Sequence, residues 1–130
     1  MLALKKRIET REATMDDLPA VYHLRKLHDR PYVGMTHDVP LNLVWWVASQ
    51  DDRVVACMGF ALAPNRRMII SDLYDNGTPA GKRGLSALIA EGCSAHAKLY
   101  FYVPFDRPDL KRALERRGIV FKSWGGEYPA

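Results

Sequence analysis

The stretch from residue 68 to residue 103 limits what this chain can fold into more than any other. Met68-Ile69-Ile70-Ser71-Asp72-Leu73-Tyr74 reads as a strand, and residues 75–81 (Asp-Asn-Gly-Thr-Pro-Ala-Gly) as a turn-rich connection. Leu85, Leu88, Ile89, Gly92, Cys93 and His96 then follow at helical spacing, a continuous stripe down one side of a long helix. Lys98-Leu99-Tyr100-Phe101-Tyr102-Val103 is a second strand, rich in aromatic and β-branched residues. Two strands joined through a helix pair side by side only in parallel, with a right-handed crossover. The chain therefore needs a sheet with at least one helix laid on its face.

The flanking sequence completes that sheet. Ile8 to Glu12 reads as a half-exposed strand. Thr14 reads as a helix N-cap, with Asp16 and Asp17 in the first turn, where the helix dipole favours anions. Leu18, Val21, Leu24 and Leu27 supply the helix's inner face. Residues 30–43, with Pro31, Gly34, Pro40 and Asn42, read as a loop of functional length. Val44–Ser49, Val54–Leu62 and Met68–Tyr74 read as an antiparallel meander, the first two joined by a hairpin turn at Gln50–Arg53. Pro108 opens a short helix that Gly118 ends, Ile119–Trp124 reads as the last strand, and Gly125-Gly126 closes it. The fold class is mixed α/β with a mostly antiparallel sheet. At 130 residues and 14.8 kDa the chain is expected to be one domain spanning residues 1–130.

Composition excludes several classes. Apolar residues at 48% and charged residues at 26% suit a folded globular chain. Nineteen Lys+Arg against fifteen Asp+Glu give +4, with the basic residues scattered in pairs. That balance admits a phosphate-bearing partner, but nothing in the pattern points to nucleic acid. Cys57 and Cys93 lie in apolar stretches, form no Cys-x-x-Cys pair and read as buried thiols. No apolar run approaches the ~20 residues of a membrane span, and the amino terminus lacks a signal's apolar core, so a cytoplasmic protein is the expectation. No spacing of His, Cys or carboxylates suggests a metal site.

The segment from Leu73 to Ile89 carries the chemistry. A buried strand runs into a glycine turn that opens an amphipathic helix. Unpartnered N–H groups and the dipole make such an opening a place for phosphate. Gly81 and Gly84 are expected to let the backbone approach a ligand closely, and Lys82 and Arg83 to add charge-assisted contacts. The same Gly-Lys-Arg-Gly run also reads as a solvated helix entrance. Neither the dinucleotide fingerprint nor the P-loop pattern is met.

With Arg11-Glu12-Ala13-Thr14-Met15-Asp16-Asp17-Leu18, the Leu73–Ile89 segment and Leu114-Glu115-Arg116-Arg117-Gly118-Ile119 in this order, the chain resembles the GNAT superfamily of N-acetyltransferases over residues 7–124. The resemblance implies a parallel strand pair, 68–75 and 98–104, that splays apart to admit the pantetheine arm of acetyl-CoA. It implies backbone contacts to that arm from Leu73, Tyr74 and Asp75. The pyrophosphate would lie against residues 81–86, that is Gly81, Lys82, Arg83, Gly84, Leu85 and Ser86. The sequence departs from the family at three points. Leu114 stands where a Tyr acid is usual, Ile69 or Ser71 where a Glu base is usual, and the glycine motif is incomplete.

Acetyl transfer to an amine needs a base, an oxyanion donor and an acid for the leaving thiolate. Asp72 and Asp75 are the base candidates, though one also reads as a solvent-facing strand residue and the other as a turn residue. Tyr100 and Tyr102 are the acid candidates, with core packing as the other reading. Tyr32, His37, Trp45 and Trp46 are expected to border the acceptor, a small-molecule or peptide amine. Of the two Trp, only one can face a given side of the sheet. The departures keep open a second function, a catalytically impaired binding or assembly module of the same fold. A homodimer is compatible with either.

Overall fold

The computed structural model describes residues 7–28, 43–63, 67–95, 98–102, 108–116, 118, 120–122 and 125–128. Among the described residues, seven strands form one sheet in the order β1-β2-β3-β4-β5-β7-β6. β1 (Glu9–Glu12), β2 (Val44–Gln50), β3 (Arg53–Ala63) and β4 (Arg67–Asp75) pair antiparallel in succession. β5 (Lys98–Tyr102) runs parallel to β4, from Arg67↔Lys98 to Ile70↔Phe101. The helix between them, α2, spans Pro79–Ala95.

Local chemistry explains most boundaries. β2 turns into β3 through Asp51 and Asp52, with φ of 51° and 61°. Two successive left-handed residues match a two-residue hairpin to the strands' right-handed twist, and Asp tolerates that region better than most residues. β3 is buried on both faces from Val55 to Phe60, so it lies between two cores. On one face, α1 (Leu18–His28) places Val21 and Leu24 against Trp45, Val47 and Cys57. On the other, Leu88 and Ile89 of α2 and Leu110 and Leu114 of α3 (Pro108–Glu115) pack on Val55, Ala56, Met58, Phe60, Ile70 and Leu73.

Three expectations are corrected. Leu27 is 58% exposed. Successive steps of three residues drift about 60° round a helix, so the row that begins at Leu18 leaves the core by Leu27. α2 begins inside the stretch read as a turn, because Thr78 caps it and Pro79 fits its first position. The buried residues of α2 accordingly start at Gly81 and Gly84. Finally, Gly125-Gly126 does not end the sheet. It opens β7 (Gly125–Tyr128), which sits between β5 and β6 (Val120–Lys122) and pairs antiparallel with both. Glycine's low strand preference hides a segment held by ladders on both sides.

The entry to α1 is fixed electrostatically. Arg11 of β1 makes two hydrogen bonds to Asp17, Nη1 to Oδ2 at 2.5 Å and Nη2 to Oδ1 at 2.9 Å, and the Thr14 amide donates to the same carboxylate at 2.7 Å. Asp17 is only 7% exposed. The hydrogen bonds from Arg11, with those from Thr14, outweigh desolvation and lower its pKa to about 2. A carboxylate with a depressed native pKa stabilises the fold above its ordinary pKa near 3.8, and that stability is lost as pH falls toward 2. Because Arg11 is half exposed, we expect Asp17→Asn to destabilise by about 1–2 kcal/mol at pH 7. Urea denaturation across a pH series should show the gap between variant and parent closing between pH ~4 and ~2.

Candidate functional site

The site candidates converge on the last third of β4. Its pairing with β3 slips by one residue: Gly59 faces Asp72 but Phe60 faces Ile70, leaving Ser71 as the extra residue of a bulge. A bulge bends its strand and often ends pairing on the other side. Among the described residues the β4–β5 register ends at Ile70↔Phe101, one residue before the bulge, while β4 runs on to Asp75.

Hydrogen-bond parity shows where the backbone of this extension points. The Asn76 amide donates to the Val55 carbonyl at 3.0 Å, so Asn76 and Val55 form a bonded pair. Bonded and non-bonded pairs alternate along an antiparallel ladder. Asp75, opposite Ala56, and Leu73, opposite Met58, therefore turn their N–H and C=O groups away from β3. Side chains alternate too, placing Asp72 and Tyr74 on the α1 face and Leu73 among the residues packed by α2 and α3.

A polar cluster covers the α1 face. Asp72 accepts from Ser71 Oγ at 2.7 Å and from Tyr74 Oη at 2.9 Å, and Arg25 Nη1 lies 3.9 Å away. The Arg25 guanidinium also stands 5.8 Å from the centre of the Trp45 ring, a cation–π distance. Its Nε and Nη1 are buried without a hydrogen-bond partner among the described residues. Trp45 itself lies across Gly59, where any Cβ would come within 2.7 Å of the indole. At the end of α1, His28 contacts Asp75: Nε2 is 2.6 Å from the carbonyl oxygen and 3.7 Å from Oδ1. The Asp75 carboxylate, mostly buried, accepts from the Gly77 amide at 3.0 Å, the short local bond of a turn-forming Asp.

The opening of α2 is held by its own side chains. Asn76 Oδ1 accepts from the Thr78 amide at 3.1 Å and from Thr78 Oγ1 at 2.5 Å, and Thr78 Oγ1 accepts from the Gly81 amide at 3.0 Å. The two glycines approach the protein rather than open space. A Cβ on Gly81 would meet Asn76 Oδ1 at 2.2 Å, and one on Gly84 would meet Ala48 at 2.9 Å and Val55 at 3.0 Å. The expected close approach at these positions is thus that of helix to sheet. Lys82, Arg83 and Ser86 are exposed, and Leu85 is half buried against the core.

Of the remaining candidates, Trp45 is 5% exposed and belongs to the core under α1, while Trp46 is half buried on the opposite face. The backbones of Tyr100 and Tyr102 lie on β5, opposite Glu127 and Gly125 of β7. Their side chains, and Tyr32 and His37, lie outside the described residues. Leu114 is a fully buried core residue. Arg25 and His28 escaped the sequence reading. His28 is five residues from His23, a spacing that suggests no shared face, and only the α1–β4 contact reveals its place. No group of three or more metal-ligating side chains occurs among the described residues, nor is any described helix long and apolar enough to cross a membrane.

No family model matches the chain, and no curated protein matches it in sequence. Solved structures do match in fold. The ribosomal-protein-S18-alanine N-acetyltransferase of Escherichia coli superposes with a TM-score of 0.68 at 16% identity, covering 90% of this chain and 80% of that one. Ard1 from Thermoplasma volcanium gives 0.69 at 18% identity, covering 89% and 84%. An acetyltransferase of the GNAT family from Staphylococcus aureus gives 0.73 at 7% identity, covering 93% and 98%. At these identities the likeness establishes a shared GNAT fold.

The Trp45–Gly59 contact generates a stability prediction. Gly59→Val should force the indole out of place and destabilise by about 1–3 kcal/mol, measured by urea denaturation, with Trp45 emission shifted in the native state.

Proposed function

We propose that this protein is an N-acetyltransferase that moves an acetyl group from acetyl-CoA to a primary amine. The observation that carries the reading is the end of β4, where a bulge, a terminated parallel ladder and outward-turned backbone groups at Leu73 and Asp75 coincide in a fold shared with acetyltransferases. In this reading β4 and β5 part beyond Ile70, and the pantetheine arm lies along β4 as an added strand. The N–H of Leu73 or Asp75 polarises the thioester carbonyl. The exposed Lys82 and Arg83, beside the positive end of α2, meet the diphosphate, with Ser86 one turn further on. Gly81 and Gly84 set the depth of the helix on the sheet beneath them.

Asp72 is the preferred base. It lies on the α1 face next to the bulge, and Ser71, Tyr74 and Arg25 hold its carboxylate in place. An incoming ammonium would lose a proton to Asp72, attack the thioester carbon and expel thiolate, which Tyr100 or Tyr102 would protonate, the phenolate then taking the second proton from the amide nitrogen. Asp75 is the second candidate, its carboxylate committed to the Gly77 amide. The acceptor is a small-molecule or peptide amine.

Isothermal titration with CoA tests the cofactor half of this reading. Binding is expected, weakened about tenfold in the Lys82→Ala/Arg83→Ala double variant. Turnover of acetyl-CoA on an amine panel tests the chemistry. Asp72→Asn is expected to lower kcat about a hundredfold with little change in CoA affinity. An absence of CoA binding to the parent protein would overturn the assignment.

A further inference from the structure

We infer that the His28 imidazole occupies the thioester slot as a displaceable latch on the Asp75 backbone. The inference rests on the acetyl-CoA reading above.

The geometry is asymmetric. His28 Nε2 lies 2.6 Å from the Asp75 carbonyl oxygen and 3.4 Å from the Asp75 amide nitrogen. At 2.6 Å the nitrogen must carry a hydrogen and donate it, since two lone pairs at that distance repel. A nitrogen that carries this hydrogen cannot also accept from the amide. The ring therefore satisfies the Asp75 carbonyl and leaves the Asp75 N–H facing it with no acceptor among the described residues, and a buried unmet donor costs stability. Parity places both groups on the edge of β4 turned away from β3, beyond the end of the β5 ladder.

This edge asks for one donor and one acceptor, the pair that an amide supplies and an imidazole does not. The amide-bearing pantetheine arm, with its thioester carbonyl, matches both positions. His28 can yield the place. It is the last residue of α1, a quarter of its side chain is exposed, and among the described residues it holds, beyond the backbone contact, only a tilted ring contact with Tyr74 at 5.4 Å and a distant approach to Asp75 Oδ1 at 3.7 Å. Cofactor entry thus exchanges one hydrogen bond for two, and the latch lowers affinity by the strength of the bond that must break.

The test compares CoA binding to the parent and to His28→Ala by isothermal titration calorimetry. The latch predicts a Kd lower by roughly fivefold in the variant, equivalent to one neutral hydrogen bond. It also predicts, in the parent protein, that the His28 imidazole nitrogen resonances move on saturation with CoA. Binding by the parent with equal or weaker binding by His28→Ala overturns the latch and leaves the cofactor reading standing. Binding by neither overturns both, and binding by the variant alone supports both. Should His28→Ala fail to fold, the resonances decide: unchanged His28 signals at saturating CoA overturn the latch.

Discussion

The arrangement turns on one unpaired residue in the middle of the sheet. Ser71 has no opposite number on β3, and the register of β4 shifts by one on passing it. Because side chains alternate, that shift decides which residues of the strand's end face α1 and which face α2. It also coincides with the end of the parallel ladder to β5. Without the extra residue, Asp72 and Tyr74 would exchange faces with Leu73 and Asp75, burying a carboxylate in the apolar core. The bulge thus sets both the packing and the chemistry of this end of the sheet.

Charge is treated differently at the two ends of α1. At the start, Asp17 has a forked partner in Arg11 and a backbone donor in Thr14, so its ionised form is strongly favoured. Toward the other end, Arg25 lies buried over Trp45, with Asp72 at 3.9 Å and with Nε and Nη1 lacking acceptors. A well-made pair fixes a corner, whereas an under-satisfied cation is expensive in a low-dielectric setting. The contrast matches a scaffold that is tight where the chain must turn and strained where the candidate chemistry sits.

Much of this was legible in the sequence because it follows from short-range rules. The strand–helix–strand unit, the meander and the opposite faces of Trp45 and Trp46 come from periodicity and chain connectivity. Gly81 and Gly84 were visible as special positions, but their reason was not. Glycine looks the same in sequence whether a ligand or a neighbouring strand comes close, and only Ala48 and Val55 beneath Gly84 decide it. β7 was hidden for a related reason, since Gly125-Gly126 forms a strand through its neighbours' ladders. Arg25 and His28 depend on how α1 lies across β4, a contact between residues about fifty apart, which no local pattern records.

Cys57 offers a different kind of access to the molecule. It sits fully covered in β3, on the α1 face with Trp45 and Val47. A water-soluble alkylating reagent can reach its sulfur only when helix and sheet separate. The rate of its modification, followed by peptide mapping, therefore clocks how often the native molecule opens, and needs no introduced probe.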